Sequence, residues 1–357
     1  MKKLIALFCL VFITFALAAQ PVSEVTAVEA PAERVFVDSC GREVTLPAEI
    51  KKVCPSGAVA TMFLSVFAPD EMVSVNSAIS ESQAKYLPSQ VASLPATGQF
   101  YGSKASLNME QILALDPDVI IDLGDYKDGI KEDMDALQAQ LGIPVIFIES
   151  DLGHMASAFR SLGEIFGKEE KGEELALFVE ETLAMAAENT AKLTDGTKKS
   201  VMYATGKEGL NVFAGGSTHA QVISLIGADN AIVLENFSNK GTGDSVSMET
   251  VLLSDPDVIV FASGSVYSSV SGNKAWNELD AVKNGKYYEV PSSPYNWMGN
   301  PPSMNMLLGV WWLGNLVYPD LYSYNMVEKA QEIYKLLWNY DLTQTEAEAL
   351  LSNSTLK

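Results

Sequence analysis

Apolar residues recur along this chain with two periods. Short continuous runs such as Val119-Ile120-Ile121 and Val145-Ile146-Phe147-Ile148 alternate with longer stretches whose apolar positions lie three and four apart. Continuous β-branched runs suit strands buried on both faces of a parallel sheet, and the helical period suits layers packed over them. From residue 34 the pattern predicts a small hairpin (35–37 with 44–46), a strand into Cys54 and a helix over 58–67. It then predicts a strand over 72–75, a helix over 127–141 and a strand ending at 148. A second series follows: strands at 199–203, 210–213 and 285–290, with helices at 219–226, 303–316, 326–340 and 344–351. Strands alternating with helices imply three-layer α/β lobes with mainly parallel sheets.

One pattern occurs twice. Residues 106–121 read SLNMEQILALDPDVII and residues 245–260 read SVSMETVLLSDPDVIV, with identity at nine of 16 positions, Glu110/Glu249 and Met109/Met248 among them. The spacing of 139 residues is far longer than a solenoid unit and points to two similar lobes. In each copy a Ser and a Glu resemble a capping box at the start of a short helix. Asp-Pro-Asp stops the helix, since a residue before proline avoids helical geometry. A β-branched strand follows.

Between the two series the pattern changes. Residues 155–166 are helical, and 169–193 run on without proline, with Leu175, Phe178, Val179 and Leu183 at helical spacing. A helix of that length reaches about 35–40 Å, enough to cross from one lobe to the next. The organisation is therefore a first lobe at 34–154, a helical connector at 155–195 and a second lobe with terminal helices at 196–357.

The ends and the composition set the compartment. Lys2 and Lys3 precede an apolar run closing on Ala-Leu-Ala-Ala, which reads as a signal peptide over 1–19, with a loose lead-in over 20–33. The mature chain is expected to be exported, periplasmic or otherwise extracytoplasmic, and free of the membrane once the signal is cut. Two cysteines remain, Cys40 and Cys54, and an even count in an exported chain favours a disulfide between them over two separate thiols. The formal charge of −21 argues against nucleic acid and anionic membranes, and for a monomer kept in solution by self-repulsion. No nucleophile elbow, zinc-protease helix or P-loop is present, and two histidines leave few players for acid–base work, so an enzyme is not expected.

Several motifs, in order, resemble the substrate-binding proteins of iron–siderophore, haem and cobalamin ABC importers. They are Val37-Asp38-Ser39-Cys40-Gly41-Arg42-Glu43-Val44-Thr45-Leu46-Pro47, Leu107-Asn108-Met109-Glu110 with Leu115-Asp116-Pro117-Asp118-Val119-Ile120-Ile121, Gly163-x-x-Phe166-Gly167-Lys168-Glu169-Glu170, and Trp312-Leu313 with Leu316-Val317-Tyr318-Pro319. The resemblance spans about residues 34–340. It implies two α/β lobes bridged by a single long helix, a stiff hinge and a ligand in a shallow cleft. It also implies a partner, the permease dimer with its ATPase, met by one surface glutamate per lobe. Glu110 and Glu249 hold those positions here.

The ligand is a small molecule, and no intrinsic cofactor is called for. Only three arginines exist, Arg34, Arg42 and Arg160, and none falls in a predicted cleft loop, which disfavours catecholate or citrate chelates needing bidentate guanidinium. The cleft loops instead offer Ser56, Tyr101, Tyr126, Tyr267, Tyr295, Trp297, Met298 and Asn300, a set suited to a large, weakly charged metal chelate. His219 could touch a metal centre. Gly215-Gly216-Ser217-Thr218 ahead of it could instead cradle an oxyanion such as molybdate. A scavenger or sensor that never meets a transporter is the other alternative.

Overall fold

The computed structural model describes residues 32–102 and 105–356. The expected signal peptide, and the lead-in up to residue 31, lie outside the described residues. The hairpin is there: β1 (Glu33–Val37) pairs antiparallel with β2 (Glu43–Pro47), Val35 opposite Thr45. Arg42 fastens its turn to the structure behind. The guanidinium donates to Asp38 at 3.0 Å, to Asp135 at 2.7 Å and to the Val145 carbonyl at 2.8 Å.

β3 (Val53–Pro55), β4 (Val119–Gly124) and β5 (Val145–Glu149) form a parallel sheet in that order. Alternate residues of each strand leave for opposite faces. Val119, Ile121 and Leu123 join one apolar cluster with α1 (Ala58–Phe67), while Ile120, Val145 and Phe147 join another. Two short helices, α2 (Glu81–Ala84) and α3 (Ser89–Ala92), precede α4 (Met109–Leu115); α5 (Ile130–Leu141) packs in the second cluster through Met134 and Leu137. A run that is apolar at every position is what a strand covered on both faces requires.

Helix α6 (Met155–Phe166) turns at Gly167 into α7 (Glu169–Thr190). The 22 residues of α7 span about 33 Å. Gly172 lets the two helices touch, since a Cβ there would stand 2.8 Å from the Phe159 carbonyl. Arg160 on α6 then grips Glu173 at 2.7 Å and Glu180 at 2.6 Å, two turns of α7.

The second sheet has six strands. β6 (Ser200–Thr205), β8 (Asp229–Asn230), β10 (Val258–Phe261) and β11 (Tyr287–Glu289) pair in parallel, while β7 (Asn211–Val212) and β9 (Asp244–Ser245) extend the sheet antiparallel. It repeats the two-faced division: Val201, Tyr203, Val258 and Val260 face one cluster, Met202, Ala204, Ile259 and Phe261 the other. Its helices are α8 (Gln221–Leu225), α9 (Met248–Ser254), α10 (Asp280–Lys283), α11 (Asn305–Val317), α12 (Met326–Trp338) and α13 (Gln344–Leu350). Two α/β lobes are thus bridged by one long helix.

Three expectations are corrected. Residues 72–75 make isolated bridges, Val53 to Met72 and Val75 to Ala96, because the chain crosses the sheet edge too briefly to form a ladder. The helix caps of the repeat are Asn108 and Ser247, which accept the amides of Gln111 and Thr250 at 3.1 Å each. Ser106 and Ser245 stand one residue too far from the glutamates for a capping box. Cys40 and Cys54 are both free thiols. Cys54 lies on β3 with its sulfur 3.1 Å from the Ser74 hydroxyl, committed to the sheet interior, whereas Cys40 sits in the hairpin turn.

Candidate functional site

Three cavities lie side by side where the lobes face each other, meeting at Ala58 and Val59 at the start of α1. One of about 330 Å³ runs between Thr61, Asn76 and Gln83 of the first lobe and Ser292, Tyr295, Asn296 and Asn300 of the second. One of about 280 Å³ is cut into the first lobe among Ser56, Gln99, Tyr101, Asp122 and Lys127. A narrow one of about 100 Å³ joins Asp125, Ser150 and Asp151 to Thr218 and Gln221 across the gap. Ser56, Asp125 and Ser150 follow directly on β3, β4 and β5, and Asp122 lies within β4. Ligands of open parallel sheets bind outside the carboxyl ends of the strands, and this cleft has that placement.

Charge is divided unequally between the walls. The described residues lining the three cavities carry three carboxylates, Asp122, Asp125 and Asp151, and one ammonium, Lys127; all four belong to the first lobe. Asp122 is buried near the end of β4 and accepts a hydrogen bond from the Ser56 hydroxyl. Burial raises its carboxyl above the ordinary range, against the pull of Ser56 and Lys127. Asp125 is exposed as a residue, yet partial burial of its carboxyl and then the charge of Asp151 raise it too. The Lys127 ammonium lies 3.1 Å from the centre of the Tyr101 ring, and burial there lowers its pKa while Asp122, Asp133 and Asp125 resist. Tyr101 donates to Asp133 at 2.7 Å. Burial first, then that bond, keeps its phenol protonated well above the usual range.

Of the residues expected to bind ligand, Ser56, Tyr101, Tyr295 and Asn300 line these cavities. Burial pushes the Tyr295 phenol up to about 12, and Asn300 donates to the Gly241 carbonyl at 2.8 Å. Trp297 and Met298 do not line them: both are wholly buried in the main core. The loop carrying them is pressed onto α11, where a Cβ on Gly309 would meet the Trp297 carbonyl at 2.1 Å. Tyr126 is half exposed and rests edge-on against Phe147, while Tyr267 packs against Tyr287, away from the cavity linings. Ser217 and His219 are buried. The His219 ring lies against Phe213, and its Nδ1 donates to the Gly299 carbonyl at 2.8 Å. Three of the four amides of the expected oxyanion cradle, those of Gly215, Ser217 and Thr218, donate within the chain itself. The amide of Ser217 donates to Ala214, that of Thr218 to Asn239 and that of His219 to the Ser217 hydroxyl.

The wall residues passed over in the sequence include Gln99, Asp122, Asp125, Lys127 and Asp151. Asp122 had a signal: one acidic residue inside the apolar run VIIDLG. All three arginines are engaged away from the cavities, Arg34 on the carbonyls of Glu164 and Ile165, Arg42 in the hairpin and Arg160 on α7. Glu149, Asp151 and His154 bring three potential metal-ligand atoms within 4.8 Å at the rim, with His154 Nδ1 3.1 Å from Asp151 Oδ1.

On the outer surface, residues 106–120 and 245–259 are buried and exposed in the same order, position by position. Glu110 and Glu249 both point outward in the first turns of α4 and α9, and neither has an ion-pair partner among the described residues. One turn on, Leu113 and Leu252 are also exposed. Among the described residues no helix is long and apolar enough to cross a membrane.

Comparison with known proteins agrees with this architecture. Residues 53–294 match the family model described as periplasmic binding protein. The uncharacterized ABC transporter substrate-binding lipoprotein YvrC of Bacillus subtilis is 24% identical over 80% of this chain and 85% of its own length. The molybdate-binding protein MolA of Haemophilus influenzae is 23% identical over 81% and 86%. The solved structure of an ABC transporter solute binding protein from Sulfurospirillum deleyianum superposes with a TM-score of 0.81, at 28% identity, over 89% of this chain and 99% of that one. With two lobes, one bridging helix and a family match over two thirds of its length, the chain belongs to the periplasmic binding protein family.

Proposed function

We propose that the protein is the extracytoplasmic substrate-binding component of an ABC importer, and that it captures a metal chelate or other ligand presenting positive charge to the first lobe. The observation that carries this is the cleft itself, walled on one side by Asp122, Asp125 and Asp151 against Lys127 alone. In a confined site a net negative wall favours a cation and repels an anion over several ångströms. An oxyanion such as the one named for the Haemophilus relative is the weaker reading. The amides of residues 217–219 are occupied, and no arginine reaches the cavities. Protein purified from its own host tests this by native mass spectrometry with metal analysis and an absorption spectrum. A bound cationic species, a haem or corrinoid spectrum, or a chelated metal supports the reading; bound molybdate or another oxyanion overturns it.

Delivery to the permease rests on Glu110 and Glu249. Unpaired carboxylates at equivalent points of two lobes suit two basic pockets on a permease dimer and fix the orientation across the cleft. Rim charges chiefly set association rate and register, so ligand affinity should be untouched. In proteoliposomes Glu110→Ala and Glu249→Ala should each slow transport several-fold, and together roughly tenfold or more, with wild-type docking weakened by salt. Wild-type transport by the double variant would remove these residues from the interface.

A further inference from the structure

We infer that Tyr86 is a positioning residue of the cleft, holding the two walls of its cavity of about 330 Å³ at their spacing. This deepens the reading of the cleft as the ligand site and rests on it. Residues 76–95 leave the first lobe and return to it with their ends pinned together. The Val75 amide donates to the Pro95 carbonyl at 3.0 Å and the Thr97 amide to the Val75 carbonyl at 2.9 Å. Within this excursion Ile79, Ser80, Ser82 and Gln83 line the cavity. Tyr86, Leu87 and Pro88, just after α2, line a separate groove of about 1310 Å³. A segment with open space on both sides is held by few contacts, so each of them counts.

The rings that Tyr86 touches belong to the second lobe. Its own ring, 8% exposed, meets Tyr334 of α12 edge-on at 5.4 Å and Tyr340 at 5.1 Å. Edge-on pairs at such separations attract beyond the area they bury. Tyr334 in turn reaches the opposite wall. Its hydroxyl donates to the Ser293 carbonyl, and its ring lies 6.5 Å from that of Trp297. It also stacks edge-on with Trp338 at 4.9 Å, and Trp338 lies 6.4 Å from the Tyr295 ring. Ser292, Tyr295 and Asn296 of that loop line the cavity from the far side. One ring therefore joins the wall that carries Ser80 and Gln83 to the wall that carries Ser292 and Asn296. Walls held at a fixed spacing present their polar groups to a ligand without a cost of ordering them on binding.

Hydrogen–deuterium exchange of the full chain, read by peptide mass spectrometry, tests this role on folded protein. In Tyr86→Ala the amides of 76–92 and those of 292–300 should both exchange several-fold faster than in the wild type, with β4 and β6 unchanged. Tyr86→Phe, which keeps the ring, should exchange as the wild type does. Wild-type exchange in either wall of a folded Tyr86→Ala protein overturns the proposal. So does a rise spread evenly over all strands, which would make the ring a contributor to overall stability alone. The reading of the cleft fails separately: a ligand carried from the host that protects neither wall from exchange would remove it and leave the link between the walls standing.

Discussion

The two lobes agree where they face outward and differ where they face each other. Helices α4 and α9 share a burial pattern residue for residue, and both end on an aspartate in the left-handed region, Asp116 at φ 51° and Asp255 at φ 35°. The next aspartate of each motif does the same work in both lobes. Asp118 Oδ2 accepts the amides of Lys51 and Lys52 at 2.7 and 2.8 Å, and Asp257 Oδ2 accepts that of Ser200 at 2.9 Å; each ties a helix end to the chain entering the neighbouring strand. The cleft walls share no such correspondence. The first is open and acidic, while the second is a loop pressed onto the core around Trp297. Duplicated surfaces stay alike when both copies meet the same kind of partner. A single ligand touches each wall differently, so nothing holds the walls to one pattern.

The contrast between the walls is most open to test at Trp297. Truncating a fully buried tryptophan typically costs about 3–5 kcal/mol. Trp297→Ala should therefore lower the unfolding free energy measured by urea titration by about that amount, and ligand affinity should suffer only as far as folding does. A variant with wild-type stability and weakened ligand binding would return the ring to the site and make the second wall a recognition surface like the first.

What the sequence disclosed follows the same division. Periodicity located the sheets and helices because strands such as VIIDLG and VIVF are covered on both faces, and such burial leaves a continuous apolar run. The repeat disclosed the lobes and the outward glutamates. The walls were harder. Aromatic residues in a Pro/Gly-rich loop look the same whether they meet a ligand or a core. At Trp297 the deciding contact comes from Gly309 on a helix that begins eight residues later, a pairing no local pattern carries. Parity of the cysteines was likewise silent on direction: Cys54 faces Ser74 and Thr97 inside the sheet. Asp122, by contrast, was visible as a lone charge within a strand.

The likeness of the outer surfaces can be sharpened through the paired aspartates. A hydrogen bond to a charged group contributes about 1.5–3 kcal/mol when its loss strands a partner. Asp118→Ala and Asp257→Ala should each reduce stability within about that range, by similar amounts, measured as shifts in the urea midpoint at constant slope. If one is costly and the other silent, the second copy keeps the motif by descent alone, and the matching burial patterns lose their mechanical meaning.

The smallest effect belongs to a contact that has no counterpart in the duplicated plan. Lys85, just after α2, reaches Glu346 on α13 at 2.9 Å, and beside it Tyr86 packs edge-on against Tyr334 and Tyr340. Two segments outside the repeat thus fasten the first lobe to the terminal helices. The Lys85 ammonium, with the Thr343 amide and the Tyr340 phenol, holds the Glu346 carboxyl down to about 2. A folded-state value below the ordinary one means the unfolded chain binds the proton more readily. The contribution is therefore complete above the ordinary carboxyl range near 4.5 and is lost as pH falls from there toward 2. Because the pair is largely solvated, screening keeps the effect small. Glu346→Gln should flatten that limb of the stability curve and leave neutral-pH ligand affinity unchanged. An acid limb as steep as in the wild type would show that Lys85 and Glu346 meet without holding the lobes together, and that the tyrosine contact alone joins them.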